Sequence, residues 1–382
     1  MHLHLRLILL LVVAAGLIGG VLAITVLNTD EGSGNTDPVV PTGPTGPTTS
    51  TGTTEEGSTL DYAQALPLPI EGPLLGVNLT AYTKDGYSQP EVRKMIRTLA
   101  DLGSTAITLV PTWYMKSSTA SAIAADPEKT PGKESLEKVI SWIRQAGMQV
   151  VMKPHVDVID DSYRGEIQPA DRDRWFRSYG DFMDHFATFS ASHSVDMFVV
   201  GTELKTLSTE TDRWRAVIQL VRDRFFGPLT YAANWDEVDQ IQFWDDLDAI
   251  GVDAYYPLSE EGGPAPTVPA LVTAWQGIAG QLQAKSEQWE RPVILTEVGY
   301  PSQIGATVKP YEVTGQPADQ NIQAMAYRAT FEALSGSDWL KGISWWSWRA
   351  DAGPEENLEI DYPPKGKKAQ GVLAQGQWMF EG

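Results

Sequence analysis

Short apolar runs alternate with longer amphipathic stretches along most of the chain, from Leu74 to its end. The short runs are rich in β-branched residues and predict buried strands, whereas the longer stretches repeat apolar residues at helical spacing. The predicted strands are Leu75–Ala81, Ala106–Thr112, Gln149–His155, Met197–Thr202, Leu229–Asn234, Ala249–Tyr255, Val293–Glu297 and Gly342–Trp346. The predicted helices are Pro90–Leu102, Lys133–Ala146, Ala170–Ser190, Asp212–Phe225, Thr267–Gln288 and Pro317–Leu334.

This strand–helix alternation predicts an α/β fold, the (β/α)8 TIM barrel. Eight strands with intervening helices, spread over about 300 residues, have the size and order of such a barrel. One connection, Glu237–Leu247, is short for a helix. A doubly wound sheet is the alternative, but it normally has a glycine-rich phosphate loop after its first strand, and Gly76–Thr80 is not such a loop.

The N-terminal part carries a segment of different character. Leu7–Leu27 contains 21 residues without a charge, and as a helix it would span about 30 Å of hydrocarbon. Arg6 precedes it and Asp30 and Glu31 follow it, which predicts a cytoplasmic N-terminus. A cleaved signal peptide is the alternative. In both cases we expect the rest of the chain at the extracellular face, membrane-anchored by residues 7–27 or secreted after cleavage.

The next segment has almost nothing to bury. Residues 28–68 are rich in Thr, Pro, Gly and Ser, a composition typical of disordered tethers. The sequence therefore predicts three parts: a membrane segment or signal peptide (1–27), a disordered linker (28–68) and a single catalytic barrel domain (69–382).

Composition narrows the range of partners. The formal net charge is −20 and the isoelectric point is about 4.6, so the folded domain lacks the basic surface that nucleic acids or anionic membranes require. The chain has no cysteine, which excludes disulfides, thiolate catalysis and cysteine-bound zinc. We expect a monomer that needs neither metal nor cofactor and binds a neutral polysaccharide or oligosaccharide.

The barrel prediction supplies a map of the functional site, because working residues of such barrels sit at the carboxyl ends of the strands. Two glutamates end predicted strands four and seven, and we assign them to catalysis: Glu203 and Glu297. Polar and aromatic residues at the other strand ends are the predicted substrate-binding residues: Asn78, Trp113, Lys153, His155, Thr202, Asn234, Trp235, Tyr255, Tyr256 and Trp346.

The two glutamates suggest a reaction. Each ends an apolar strand, where a charge is costly unless it is paired or used. Retaining glycosidases require two carboxyl groups about 5–5.5 Å apart, one as nucleophile and one as acid/base. Strands four and seven face each other across an eight-stranded barrel, so their ends can reach one sugar from opposite sides. The alternative is an ion pair of either glutamate with Lys153 or Arg349, without chemistry.

The aromatic residues indicate a flat, uncharged ligand. We expect Trp346 to lie beneath the sugar at the cleavage point and Trp113 or Trp235 to serve neighbouring subsites, because indole faces stack on pyranose rings. Packing within the core is the alternative for any single tryptophan. His155 alternates with Lys153 on the third strand, and it either donates to a sugar hydroxyl or has a structural role. A neighbour of Glu297, Tyr255 or Tyr256, is expected to hydrogen-bond that carboxylate.

Seven short motifs, in order on successive strands, resemble glycoside hydrolase family 113. The likeness extends from about Leu75 to Trp348. It implies an endo-acting, retaining β-1,4-mannanase with Glu203 as acid/base and Glu297 as nucleophile. The motifs are Gly76–Asn78, Lys153–His155, Gly201–Leu204, Ala233–Trp235, Asp253–Pro257, Thr296–Tyr300 and Trp345–Trp348.

One position departs from the wider clan to which that family belongs. The residue before the acid/base is usually an asparagine that binds the sugar 2-hydroxyl, and here it is Thr202. Asn234, Lys153 or His155 can take over that contact, which leaves the identity of the sugar open. The competing functions are a β-glucan or xylan hydrolase, an exo-acting glycosidase on the same barrel, or a non-catalytic carbohydrate-binding surface protein.

Overall fold

The computed structural model of the protein describes residues 70, 72–352 and 358–380. The predicted membrane segment and the predicted linker lie outside the described residues and stay predictions, as does the expected monomer. Among the residues that are described, no helix combines the length and the apolar character needed to cross a membrane.

Eight parallel strands close into a barrel, and the predicted (β/α)8 fold is confirmed. Around the barrel the strands follow the order β1, β2, β4, β6, β7, β8, β9, β10, and β10 pairs with β1 to close it. The strands are β1 (Leu74–Thr80), β2 (Ala106–Val110), β3 (Thr112–Met115), β4 (Gln149–Met152), β5 (His155–Val158), β6 (Met197–Thr202), β7 (Leu229–Asn234), β8 (Ala249–Asp253), β9 (Val293–Val298) and β10 (Leu340–Arg349).

The second and third barrel strands are shorter than expected. The predicted strands Ala106–Thr112 and Gln149–His155 each break at a proline, Pro111 and Pro154. Proline has no N–H to donate to a sheet, so the barrel strands β2 and β4 end there. The chain then resumes as β3 and β5, which pair in parallel as a separate two-stranded sheet. This small sheet extends the barrel beyond the ends of β2 and β4 and carries Trp113 and His155.

Helices follow seven of the eight barrel strands, close to the predicted bounds. Between β7 and β8 the described chain has only a 3-10 turn at Trp244–Asp246, in line with the short stretch noted there. Gly103 and Gly147, with φ of 87° and 78°, follow the first two helices in the left-handed conformation that glycine adopts at such ends. The helices are α1 (Pro90–Asp101), α2 (Lys133–Gln145), α3 (Arg172–Ser192), α4 (Thr211–Arg222), α5 (Val268–Trp289), α6 (Gln320–Leu334) and α7 (Lys368–Gln377).

Two apolar layers hold the strands in place. Side chains inside the barrel, such as Leu74, Val151, Met197 and Ile294, form one buried cluster. The outer faces of the strands and the inner faces of the helices form a second and larger one. Each fully buried aliphatic side chain stabilises the fold by about 1.5–3 kcal/mol. The strand ends therefore project from a rigid, densely packed support.

Candidate active site

Glu297 lies near the end of β9, and only 3% of its surface is exposed. Two side chains donate to its carboxylate, each over 2.6 Å: the Lys153 ammonium to Oε1 and the Tyr255 hydroxyl to Oε2. The expected hydrogen bond from Tyr255 is therefore present. Hydrogen bonds from a cation and a hydroxyl stabilise a carboxylate in its ionised form. Glu297 is thus held in one orientation by a cation and a hydroxyl.

Lys153 is shared between two carboxylates. Its buried ammonium lies 2.9 and 3.2 Å from the two carboxylate oxygens of Asp253, in addition to its contact with Glu297. Burial and the charge of Glu297 raise the pKa of Asp253, and Lys153 opposes that rise. The hydroxyl of Thr296 also donates to Asp253, over 2.7 Å. Lys153 was expected to bind substrate. In the structure its ammonium instead contacts the carboxylates of Asp253 and Glu297.

His155 contributes a neutral ring next to the same carboxylate. Its Nε2 lies 3.7 Å from Oε1 of Glu297 and has no hydrogen-bond partner, although the residue is almost fully buried. Burial, followed by the charges of Arg164 and Lys153, lowers the pKa of His155 well below its usual value. The ring is nearly parallel to half-buried Trp346, at 6.0 Å between centroids and 9° between planes. A neutral imidazole nitrogen without a partner is suited to bind a hydroxyl group.

Glu203 follows the end of β6 and has a different environment. Its backbone is in the left-handed region, with φ of 53°. Its one ion contact among the described residues is with Arg164, whose Nη1 lies 3.6 Å from Oε2. Burial and the charge of Asp253 raise the pKa of Glu203 well above its usual value, with Arg164 opposing. The protonated form of Glu203 is therefore favoured.

Two residues of this half of the site were not predicted from the sequence. Arg164 lies in a 3-10 turn, Arg164–Glu166, and also donates to Asp157 Oδ1 over 2.5 Å. Asp157 lies on β5 and is thus paired with Arg164. Tyr163 accepts a hydrogen bond from the Asn234 side-chain amide, over 2.9 Å. Tyr163 and Arg164 both lie after β5, in a segment without a periodic sequence pattern. Only the location of that segment at the barrel mouth could have indicated these two residues.

The predicted aromatic residues after β7 and β8 form a patch beside the site. Trp235 is half-buried and packs on Tyr256 with ring centroids 5.7 Å apart. Its other neighbour is Tyr311, at 6.4 Å and 14° between planes, and about half of the Tyr311 surface is exposed. The Asn234 side-chain oxygen accepts from the backbone N–H of Trp235 over 2.9 Å. The three rings thus form a partly exposed aromatic surface.

Asn78 and Thr202 lie deeper than a contact with substrate would suggest. Asn78 is fully buried, and its amide donates to the Thr296 carbonyl and to Ser344, over 3.0 Å in each case. It therefore joins β1, β9 and β10, while its side-chain oxygen has no hydrogen-bond partner. The expected contact of Asn78 with substrate stays a prediction. Thr202 is also buried, and its hydroxyl has no hydrogen-bond partner.

Trp113 is directed away from the site. Its ring packs on Phe182, His185 and Phe186 of α3, with centroids 5.3 to 6.0 Å apart. Side chains alternate along a strand, so on β3 the neighbours of Trp113 face the opposite side. The expected subsite role of Trp113 is corrected to packing between β3 and α3.

The geometry brings together two carboxyl groups in unlike environments: Glu297 accepts hydrogen bonds from Lys153 and Tyr255, whereas burial raises the pKa of Glu203. They come from the fourth and seventh of eight barrel strands, β6 and β9, which β7 and β8 separate on the shorter way around the barrel. Glu203 and Glu297 are close enough for the charge of Glu297 to contribute to the raised pKa of Glu203. A nucleophile and a proton donor in unlike environments are the two groups that glycoside hydrolysis requires.

Comparison with known proteins gives an independent result. The sequence profile of glycoside hydrolase family 113 matches residues 79–367. No curated protein sequence matches the chain. The structure is similar to that of the GH113 β-mannanase AaManA from Alicyclobacillus acidocaldarius in complex with ManMIm, at 28% identity and a TM-score of 0.72, over 81% of this chain and 98% of that one.

More distant structures share the fold. A second GH113 β-1,4-mannanase, solved as a complex, is 22% identical with a TM-score of 0.72, over 81% of this chain and 99% of its own. GH5_18 from Streptomyces cattleya, in complex with GlcNAc, is 15% identical with a TM-score of 0.54, over 81% and 80% of the two chains.

Proposed function

The chain belongs to glycoside hydrolase family 113, and we propose that it cleaves β-1,4-linked mannan with retention of configuration. Glycoside hydrolysis itself follows from the family. The choice of mannan is supported by the similarity to the β-mannanase AaManA. The retaining mechanism is supported by one observation above all: Glu297 has two strong donors, whereas Glu203 is buried opposite a single arginine at 3.6 Å.

In the first step of the proposed reaction, Glu297 attacks the anomeric carbon and the glycosidic C–O bond breaks. Protonated Glu203 gives its proton to the leaving oxygen, so the leaving sugar departs as a neutral alcohol. The product is a glycosyl ester of Glu297. Because the reaction needs Glu203 protonated and Glu297 ionised, activity is expected to fall at both ends of the pH range.

In the second step, Glu203 is an anion and takes a proton from a water molecule that attacks the ester. The sugar leaves with its original configuration and Glu297 becomes a carboxylate again. Lys153 keeps a partner throughout. Its ammonium lies 2.9 Å from Asp253, which remains as a partner when Glu297 has lost its charge. The buried cation is therefore never left unpaired during the cycle.

Substrate recognition in this proposal involves His155 and Trp346. The partnerless Nε2 of His155 would bind a hydroxyl of the sugar attached to Glu297, and Trp346 would lie against the ring. Thr202 is shorter than the asparagine that is usual in the clan, so Asn234 and His155 share the recognition of the sugar 2-hydroxyl. Hydrolysis of xylan or β-glucan would mean that these contacts select another sugar.

The test is the stereochemistry and length of the products. The full chain is incubated with β-1,4-mannohexaose, and the anomeric protons are followed by NMR during the first minutes. We expect the β-anomer to appear first and internal bonds to be cut. Initial α-anomer would overturn retention, release of single sugars from one end would overturn endo action, and a preference for xylan or β-glucan over mannan and glucomannan would overturn the substrate.

A further inference from the structure

A fully buried carboxyl group, Glu237, lies behind the acid/base half of the site. Its Oε1 accepts a hydrogen bond from the Tyr231 hydroxyl over 2.7 Å, and its Oε2 accepts from the Asn234 backbone N–H over 2.9 Å. The same Tyr231 hydroxyl accepts from the backbone N–H of Leu204 over 2.9 Å. One hydrogen-bonded chain thus connects the residue after Glu203 with the end of β7.

Glu203 requires such support because its backbone is strained. A φ of 53° is unfavourable for a residue with a Cβ, and it persists only when the surroundings impose it. The N–H of Glu203 donates to the Ala232 carbonyl over 2.9 Å, and the next N–H, that of Leu204, is held by Tyr231. Both N–H groups that flank the strained Cα are therefore fixed by β7.

The strand that carries Glu203 is shaped to admit the tyrosine. A Cβ on Gly201 would lie 2.6 Å from Cε2 of Tyr231, which no side chain tolerates. The glycine therefore lets the Tyr231 ring pass close to β6 and reach the N–H of Leu204. This explains in physical terms why a glycine stands two residues before the acid/base.

Glu237 has no ion-pair partner among the described residues. Burial raises the pKa of Glu237 from 4.5 to about 7, although hydrogen bonds from Tyr231 and Asn234 oppose the rise. A buried carboxyl group is costly to retain where an apolar residue would fill the same space. Its two oxygens are each bonded to a group that leads to the site, which gives the residue a reason to be there.

We propose that Tyr231 and Glu237 are positioning residues that hold the strained backbone of Glu203 and so aim its carboxyl group at the leaving oxygen. Among the described residues, the one ion contact of the Glu203 side chain is the distant one with Arg164, so the direction of its main chain decides where the carboxyl points. The inference rests on the proposed function, since it assumes that Glu203 is the acid/base.

The test compares two substrates of the full-length enzyme that differ in their need for a proton. Cleavage of β-1,4-mannohexaose needs an acid, whereas 2,4-dinitrophenyl β-mannobioside releases a phenolate without one. In Tyr231→Phe we expect kcat/KM on the hexaose to fall by about tenfold to a hundredfold, the range for a slightly misplaced catalytic group. On the aryl substrate we expect the glycosylation rate to be unchanged.

Tyr179→Phe is the matched control. Tyr179 is equally buried, and its hydroxyl donates over 2.9 Å to the carbonyl of Val200, on the strand that leads to Glu203. This variant loses one buried hydrogen bond, whereas Tyr231→Phe loses two, so its melting temperature should also fall, but by less. The ratio of its activities on the two substrates should equal that of the wild type.

Glu237 gives a second, independent variant should Tyr231→Phe not fold. Glu237→Gln retains an acceptor oxygen and the size of the side chain, and it should lose less hexaose activity than Glu237→Leu. The proposal is overturned if the Tyr231 or Glu237 variants lose activity equally on both substrates. It is also overturned if Tyr231→Phe still lowers hexaose activity in a Glu203→Ala background, where there is no carboxyl group to aim.

Failure of the proposed function is distinguishable from failure of this inference. If the wild type does not cleave mannohexaose, or if Glu203→Ala loses as much on the aryl substrate as on the hexaose, the assignment of mannan or of Glu203 fails. If both of those hold and the Tyr231 and Glu237 variants show no substrate dependence, the positioning role alone fails.

Discussion

The two catalytic carboxyl groups are held by opposite means. Glu297 is fixed through its side chain: both oxygens accept strong hydrogen bonds, from Lys153 and Tyr255. Glu203 is fixed through its backbone, with φ of 53° and the neighbouring N–H of Leu204 bonded to Tyr231. In the part of the chain that the structure describes, its carboxyl has one ion contact, with Arg164 at 3.6 Å. The site thus constrains the carboxylate oxygens of Glu297 directly, whereas it constrains the main chain of Glu203.

This difference matches the two tasks in the proposed mechanism. A nucleophile has to stay ionised and in one place until it attacks, so fixed donors on both oxygens favour it. An acid/base group has to lose and regain a proton within each cycle, so strong donors would hold it in its ionised form. Fixing the backbone of Glu203 restricts its position without selecting one protonation state.

The largest effect should separate the two halves by substrate. Glu297→Gln removes the nucleophile, and we expect a loss of roughly 10⁵-fold in kcat on every substrate. Glu203→Gln removes the proton donor, and we expect a loss of about 10²–10⁴-fold on mannohexaose. On the aryl substrate we expect a near-normal burst of dinitrophenolate followed by slow turnover, because the base of the second step is missing. Steady-state and burst kinetics on both substrates measure this. Near-normal hydrolysis of mannohexaose by Glu203→Gln would refute the assignment.

A second effect, on stability and on kcat, should arise in the half of the site that contains Glu297. Lys153→Met leaves Asp253 and Glu297 as two buried carboxyl groups without their cation, and removing one partner of a buried pair typically costs about 3–5 kcal/mol. We expect a large loss of unfolding free energy in urea titration, together with a lower kcat because the nucleophile loses a donor.

Lys285→Met is the control for that variant. Lys285 lies 2.7 Å from Asp239, whose side chain is 89% exposed, so its removal should cost less than about 1 kcal/mol. Equal losses of stability in the two variants would show that Lys153 acts only as an ordinary ion-pair partner. In that case the charge of Lys153 would not distinguish the surroundings of Glu297 from those of Glu203.

The main parts of this comparison were accessible from the sequence. Apolar strands that end in a glutamate predicted Glu203, Glu297 and the barrel, because burial and strand-end position are local properties of the chain. Tyr255, a donor to Glu297, was also among the expected neighbours, but the groups that surround Glu203 were not predicted. Arg164 and Tyr163 come from irregular chain, and Glu237 comes from a stretch considered only as a short helix. Their roles depend on contacts between distant segments, which no periodic pattern encodes.

The direction of individual side chains was also inaccessible. Trp113 was expected at the mouth because its strand was read as continuing through Pro111, whereas the break at the proline and the alternation along β3 turn the ring towards α3. Asn78 was expected among the strand-end residues, but it lies within β1 and its amide joins neighbouring strands. Strand-end position thus predicts nearness to the site better than it predicts contact with a ligand.

The smallest expected effect is a pH dependence of the unfolding free energy that comes from Glu237, in the half of the site that contains Glu203. The pKa of Glu237 is raised from 4.5 to about 7 in the folded protein, so between these values the native state retains a proton that the unfolded state has released. The unfolding free energy therefore falls as pH rises through this window, by up to about 3 kcal/mol from this group. Glu237→Gln cannot titrate and should lack this contribution.

Urea titrations of the wild type and Glu237→Gln at pH 5 and pH 8 measure the difference. The raised pKa values of Glu203 and Asp253 act in the same direction, but those groups are present in both proteins, so their contributions cancel in the comparison. Parallel pH dependence of the two proteins would mean that Glu237 is ionised throughout. The hydrogen-bonded chain behind Glu203 would then carry a fixed charge, and the acid/base half would resemble the nucleophile half more closely than its contacts indicate.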